Sequence, residues 1–304
     1  MSMKILAEGL EFPEGPVLAP DGSLLVVEIR RGTLTRIDAR TGKATIVARP
    51  GGGPNGAAIG PDGACYVCNN GGFEWRSHAG ILMPALEPAD YGGGRIERID
   101  LETGRVDVLY DRVGEHRLRG PNDIVFDAHG GFWFTDLGKT RRRDVDRGGI
   151  YYARADGSSI TEVVHPVSRP NGIGLSPDGG TLYVAETETG RLWAWRITAP
   201  GELALEPFPS PHGGRLLYST DSYRLFDSLA VEAGGNICVA TLMSGGISVC
   251  SPQGGLVEFV PCDDPYTTNI CFGSTDMRTA WITLSSRGQL AEVPWARPGL
   301  RLAH

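Results

Sequence analysis

Six positions carry side chains that could together hold a hard cation: Glu14, Asn55, Asn122, Asn171, Asp227 and Thr268. They supply two carboxylates, three amide oxygens and one hydroxyl, with no Cys or His. An oxygen-only set of this kind suits Ca²⁺, Mg²⁺ or Mn²⁺ far better than zinc or copper. Asn and Asp also recur at ordinary turns. Here, however, both carboxylates fall where the other copies carry an amide. Carboxylates that face a pore need a counter-charge, and a cation would supply one.

Each of the six opens a copy of one pattern, so the elements that hold them repeat. Glu14 opens EGPVLAPDGSLLVVE, Asn55 opens NGAAIGPDGACYVCN and Asn122 opens NDIVFDAHGGFWFTD. Asn171 opens NGIGLSPDGGTLYVAE, Asp227 opens DSLAVEAGGNICVAT, and Thr268 opens a degenerate sixth copy. Four places on stands an apolar residue: Leu18, Ile59, Phe126, Leu175, Val231 or Phe272. The openings are spaced 41, 67, 49, 56 and 41 residues apart, counted between those positions. Strand-like runs fill each interval, and Asp-Gly and Thr-Gly pairs between alternating runs predict hairpins. A β-rich period of roughly 40–50 residues is the mark of propeller blades with four strands each. We therefore expect an all-β, six-bladed propeller spanning 1–304 as one domain, with the six openings ringed around its central channel. The sixth copy lacks a clear outer strand, and the N-terminal run MKILAEGL is expected to supply it and close the ring. Insertions at 73–93 in copy two and 138–148 in copy three sit between second and third strands. A third, 200–224, joins copies four and five. Long loops inside a compact domain are often functional, and 73–93, with Trp75, His78, Met83 and Tyr91, is a candidate lid.

Bulk properties exclude several classes. The chain has 304 residues and a net charge of −7, with basic residues dispersed except at Arg141-Arg142-Arg143, so no nucleic-acid surface is expected. No apolar run is long enough for a membrane span. The N-terminus lacks a signal peptide's apolar stretch. A cytoplasmic protein is the expectation. Cys65 and Cys68 form a C-x-x-C but fall in a strand-like run, where residues three apart face opposite sides. No second pair completes a zinc site, so separate buried thiols are expected.

Four ordered motifs then resemble a known family. Glu14-Gly15-Pro16, Gly120-Pro121-Asn122-Asp123, Arg169-Pro170-Asn171-Gly172-Ile173 and Asp227-x-Leu229-Ala230-Val231 are similar to the senescence marker protein/gluconolactonase/luciferin-regenerating enzyme family. The resemblance implies a six-bladed propeller with one divalent metal in the channel, calcium first, with Mg²⁺, Mn²⁺, Zn²⁺ or Fe²⁺ as alternatives. It implies Glu14, Asn171 and Asp227 as ligands, Asn122 as a fourth ligand or substrate contact, and Asp227 as general base. Most members are lactonases, and a related branch hydrolyses organophosphates. Strictosidine-synthase-like propellers share the fold without the metal, and the Glu/Asn/Asn/Asp set argues against that branch. Animal-type sugar lactonases carry an Arg two residues before the third-blade Asn. That place is Gly120 here, with Arg119 one further back, which puts a sugar-acid lactone in doubt.

The resulting expectation is a metal-dependent hydrolase opening a small-molecule lactone, with the metal as Lewis acid. The alternatives are another ester or a phosphotriester at the same site, or a non-enzymatic, calcium-stabilised binding propeller. Asn55, Asn122, Asn70, Arg119, Trp75 and Lys139 are the candidate substrate contacts. Asp123 is expected to orient Asn122. The sequence leaves the substrate, the native metal and the oligomeric state open.

Overall fold

The computed structural model describes residues 3–304. Five four-stranded antiparallel sheets and one five-stranded sheet account for almost all of the regular structure, and they follow one another around a channel as the blades of a six-bladed β-propeller. The inner strands are Pro13–Leu18, Pro54–Ile59, Pro121–Phe126, Pro170–Leu175, Leu225–Val231 and Thr267–Gly273. Each pairs with the next strand in sequence, as hairpin connections require.

Ring closure follows the expected route. Lys4–Ala7 pairs with Gln289–Pro294 as the outer strand of blade six, so the first strand of the chain completes the last blade. Blade four differs from expectation. The 200–224 segment is more than a connection: Glu202–Ala204 and Arg215–Ser219 pair with the two halves of the long strand Arg191–Ala199 and share the outer position. A nine-residue third strand leaves room for two short partners in line.

The core is divided among the six blade interfaces. One buried cluster joins blades one and two through Val27, Leu34 and Val67, and another joins blades two and three through Tyr66, Phe126 and Phe132. Four further clusters fill the remaining interfaces. Cys65 belongs to the first cluster and Cys68 to the second, so the C-x-x-C thiols lie on opposite faces of one strand. All six cysteines are free. No helix of the described residues is long and apolar enough to cross a membrane.

Candidate active site

All six inner strands break register at the same place. The pairing slips between Glu14 and Val17, Pro54 and Ala57, Pro121 and Ile124, Pro170 and Ile173, Phe226 and Leu229, and Thr267 and Asn269. A bulge at a strand end re-aims side chains. Here it falls at the six residues singled out in the sequence and sets them as a ring at one end of the channel. Pro13, Pro54, Pro121 and Pro170 precede four of them, where a strand's first residue can lack an N–H donor. Glycine follows three of them because neighbouring inner strands touch there. A Cβ on Gly172 would stand 2.6 Å from Asp227 O and 2.7 Å from Leu229 N. One on Gly56 would stand 2.4 Å from Asn122 O.

Glu14, Asn55, Asn122, Asn171 and Thr268 are buried, and Asp227 keeps part of its surface open. Glu14 Oε2 accepts hydrogen bonds from Asn269 Nδ2 at 2.7 Å and from the Gly15 N–H at 2.6 Å. Thr268 Oγ is drawn into a hydroxyl chain with Thr283 at 2.8 Å and Ser285 at 2.5 Å. In blade six, therefore, it is Asn269 that turns its amide to Glu14. Asn171 Nδ2 donates to Thr187 Oγ at 3.0 Å, and its Oδ1 has only a long 3.5 Å contact with Ser228 Oγ. Asp123 lies one step deeper. Its two oxygens accept the Ile124 N–H at 2.9 Å and, more weakly, the Ile173 N–H at 3.4 Å.

Three carboxylates thus share the channel. Burial pushes the Glu14 carboxyl up to about 7 against the hydrogen bonds from Asn269, Gly15 and Thr268. Burial, reinforced by the Glu14 charge, raises Asp123 to about 8. Burial and the Glu14 charge hold Asp227 well above the usual carboxylate range, with the Asn171 amide opposing them. Such a cluster favours either protons or a cation.

The donor set fits a hard cation on one independent observation. Asn122 Oδ1 is buried and accepts no hydrogen bond, although buried polar atoms are normally paired. Among the described residues no three His, Cys, Asp or Glu side chains form a metal-binding group. An ion in the ring would therefore rely on the amides of Asn122 and Asn171 beside Glu14 and Asp227.

The insertions at 73–93 and 138–148 rise on the ring's side of the propeller, because both leave from the ends of second strands that pair with the inner-strand starts. The hairpin Trp75–His78/Ile81–Pro84 reaches from blade two to the turn Ser285–Arg287 of blade six. Trp75 packs against Phe12 at 5.0 Å between ring centroids and Phe73 at 6.3 Å, and Phe12 packs against Tyr266 at 5.8 Å. The two insertions are tied together. Glu87 N–H donates to Thr140 O at 2.8 Å, and Arg119 and Arg141 both pair with Glu87 and Asp146.

The proposed substrate contacts separate under this geometry. Asn55 joins the ring and Trp75 the aromatic wall. Asn70 leaves its buried Nδ2 without an acceptor while its Oδ1 accepts from Gly72 N–H at 2.8 Å. Lys139 is fully engaged. Its Nζ donates to Gly72 O at 2.5 Å and Asn70 Oδ1 at 3.3 Å and lies 4.1 Å from the centre of the Phe73 ring. Arg119 turns to Asp146, Glu87 and the Tyr91 ring, within the network that binds the insertions together. Gly120 has a steric reason to be glycine: a Cβ there would lie 2.6 Å from Gly138 O of the second insertion. Asp123, expected to orient Asn122, instead spends its oxygens on the Ile124 and Ile173 N–H groups. Asn269 escaped the sequence reading; its signal was an amide one place after the expected one.

A six-bladed propeller with an oxygen-donor ring at one channel end and loops across it defines a recognisable class. The profile of the SMP-30/gluconolactonase/LRE-like region matches residues 12–286, and the chain belongs to that family. It is 30% identical over 253 residues, 83% of this chain and 70% of the relative, to the lactonase drp35 of Staphylococcus haemolyticus. It is 24% identical to a gluconolactonase of Zymomonas mobilis, covering 89% of this chain and 76% of that one. The calcium-binding protein regucalcin from Agrobacterium tumefaciens superposes with a TM-score of 0.75 at 20% identity, over 99% of this chain and 98% of its own.

Proposed function

We propose that this protein is a divalent-metal-dependent hydrolase that opens lactones. The observation that carries the reading is the ring itself: Glu14, raised by burial, and Asp227, raised by burial and by the Glu14 charge, beside an Asn122 oxygen with no partner. The names of the lactonase and gluconolactonase relatives support the reaction class, and the calcium-binding neighbour supports an oxygen-loving ion. Glu14, Asn122, Asn171 and Asp227 would hold the ion, calcium first, with Mg²⁺, Mn²⁺, Zn²⁺ or Fe²⁺ also accommodated by an oxygen set. When bound, a divalent cation supplies Lewis-acid stabilisation of the negative charge that builds on the ester carbonyl oxygen.

The chain's own groups do the rest. Asp227 takes a proton from the attacking water as its oxygen bonds to the carbonyl carbon. The ring C–O bond then breaks, and Asp227 returns the proton to the departing alkoxide, leaving a hydroxy acid. A bound cation would favour the ionised form of Asp227, and an ionised carboxylate within reach of the water can take its proton. Asn55 and the free Nδ2 of Asn70 orient the substrate from blade two. The 73–93 loop with Trp75 shields the site from bulk water. Lys139 acts here by fastening Gly72 and Asn70, and Arg119 by joining the insertions.

The test is to strip the protein with chelator and assay sugar and aliphatic lactones with each divalent ion returned. Turnover restored by an ion supports the reading. Tight binding of an ion with no lactone turned over, while a phosphotriester or acyclic ester is, would move the activity to those substrates.

A further inference from the structure

A second tier stands two residues before the ring, towards the mouth. Its members are Phe12, Gly53, Gly120, Arg169, Leu225 and Tyr266. In five blades the tier carbonyl accepts the N–H that follows the second strand. These are Ile29 to Phe12 at 3.1 Å, Asn70 to Gly53 at 2.8 Å, Leu137 to Gly120 at 2.9 Å, Thr187 to Arg169 at 3.1 Å and Ser285 to Tyr266 at 2.9 Å. These residues therefore sit at one height around the opening.

Arg169 is the tier's single charged residue. Its backbone lies in the left-handed region at φ 55°, a conformation that a long side chain adopts at a cost and that clusters at ligand sites. The side chain is only 14% exposed. Nη1 donates to Thr140 Oγ at 2.8 Å, and Nε faces the outer carboxylate of Glu188 at 3.3 Å without a hydrogen bond. Nη2 has no protein acceptor and is not sealed from solvent. The guanidinium is thus anchored at one corner and free at another.

Across the channel the tier is aromatic. Blade one stands opposite blade four in a six-bladed ring, so the Phe12 position lies across the channel from the Arg169 position, and Phe12 is flanked by Tyr266 and Trp75. Gly53 and Gly120 leave blades two and three without side chains at this height. The mouth therefore has a cationic side and an apolar side.

We infer that Arg169 is a specificity-determining contact and that the substrate is a lactone bearing a carboxylate. That carboxylate meets Nη2 of Arg169, and the apolar ring edge lies against Phe12 and Tyr266. This inference rests on the lactone-hydrolase reading for turnover but not for binding. A planar guanidinium binds a carboxylate with directional, charge-assisted hydrogen bonds.

Two lactones matched in shape test it: 5-oxotetrahydrofuran-2-carboxylate and γ-valerolactone, which differ by carboxylate against methyl. Wild type should favour the carboxylate in kcat/KM. Arg169→Met should lose that preference by roughly tenfold to a hundredfold, through KM, while γ-valerolactone turnover holds. Arg169→Lys should recover part of it. Preference unchanged in Arg169→Met, or both substrates lost together, would overturn the assignment. Calorimetric binding of 2-hydroxyglutarate, the ring-opened product, gives an independent readout. Weaker binding in Arg169→Met supports the site even if no lactone is turned over, an outcome that would sink only the lactone reading. Equal binding by both proteins would sink the site.

Discussion

Asn269 Nδ2 lies 2.7 Å from Glu14 Oε2 and joins the last blade of the propeller to the first at the floor of the candidate site. The same two blades are joined at the outside by Lys4–Ala7 on Gln289–Pro294. Closure of the ring and placement of Glu14 are therefore one structural event. In Asn269→Leu the buried carboxylate loses its side-chain donor, which should cost about 1–3 kcal/mol. Thermal melts should show the loss, and divalent binding should weaken with it. A variant with wild-type stability and cation affinity would show that Asn269 does not position Glu14.

Gly172 sets the spacing between blades four and five at Asp227. The Cβ of Gly172→Ala would meet Asp227 O and Leu229 N, backbone atoms that cannot swing away. Overpacking of this kind costs about 1–3 kcal/mol. Denaturant titration should show the loss, and turnover should fall because Asp227 is displaced. Unchanged stability would mean that the strands can separate there freely.

The architecture was legible because its signals are local and repeated. Ring residue, apolar residue and turn recur six times, three of the turns as Pro-Asp-Gly, and each blade needs only its own strands and the next interface. The split outer strand of blade four was hidden, since two three- to five-residue strands separated by a loop carry little periodicity. The ring residues were legible as residue types, but their inward aim depends on a bulge, and a bulge leaves no side-chain signature. The roles of Arg119 and Lys139 depended on contacts across 27 to 69 residues of sequence, namely Asp146, Glu87 and Asn70, which spacing alone does not reveal. Asn269 was missed because the sixth copy displaces its amide by one position.

Trp75 connects the lid hairpin to Phe12, two residues before Glu14. Trp75→Ala should loosen the 73–93 loop over the mouth. An aromatic pair contributes about 0.5–1.5 kcal/mol beyond its buried area. A fall in lactone kcat/KM of about tenfold is expected, with the melting temperature little changed. Kinetics identical to wild type would remove the hairpin from the site.

Lys139 supplies a pH signature. Burial lowers its ammonium to about 7 in the fold, against 10.5 for an ordinary lysine, with Asp136 and Glu87 opposing the shift. Between those values the unfolded chain holds the proton and the folded one does not, so stability rises with pH across that window. Lys139→Met should abolish this component of the rise between about pH 7 and 10. Superimposable stability–pH curves for the two proteins would contradict it.

In the proposed mechanism Asp227 carries the chemistry, and one substitution isolates that role. Asp227→Asn keeps an oxygen ligand and nearly the same volume while removing the base. The decisive measurement is kcat for a lactone that the wild type hydrolyses, taken at a divalent-ion concentration where calorimetry shows both proteins loaded. A general base of this kind contributes roughly 10²–10⁴-fold. The expected result is a loss of that size with the fold intact. Turnover within a few-fold of wild type in the loaded variant would contradict Asp227 as the proton acceptor.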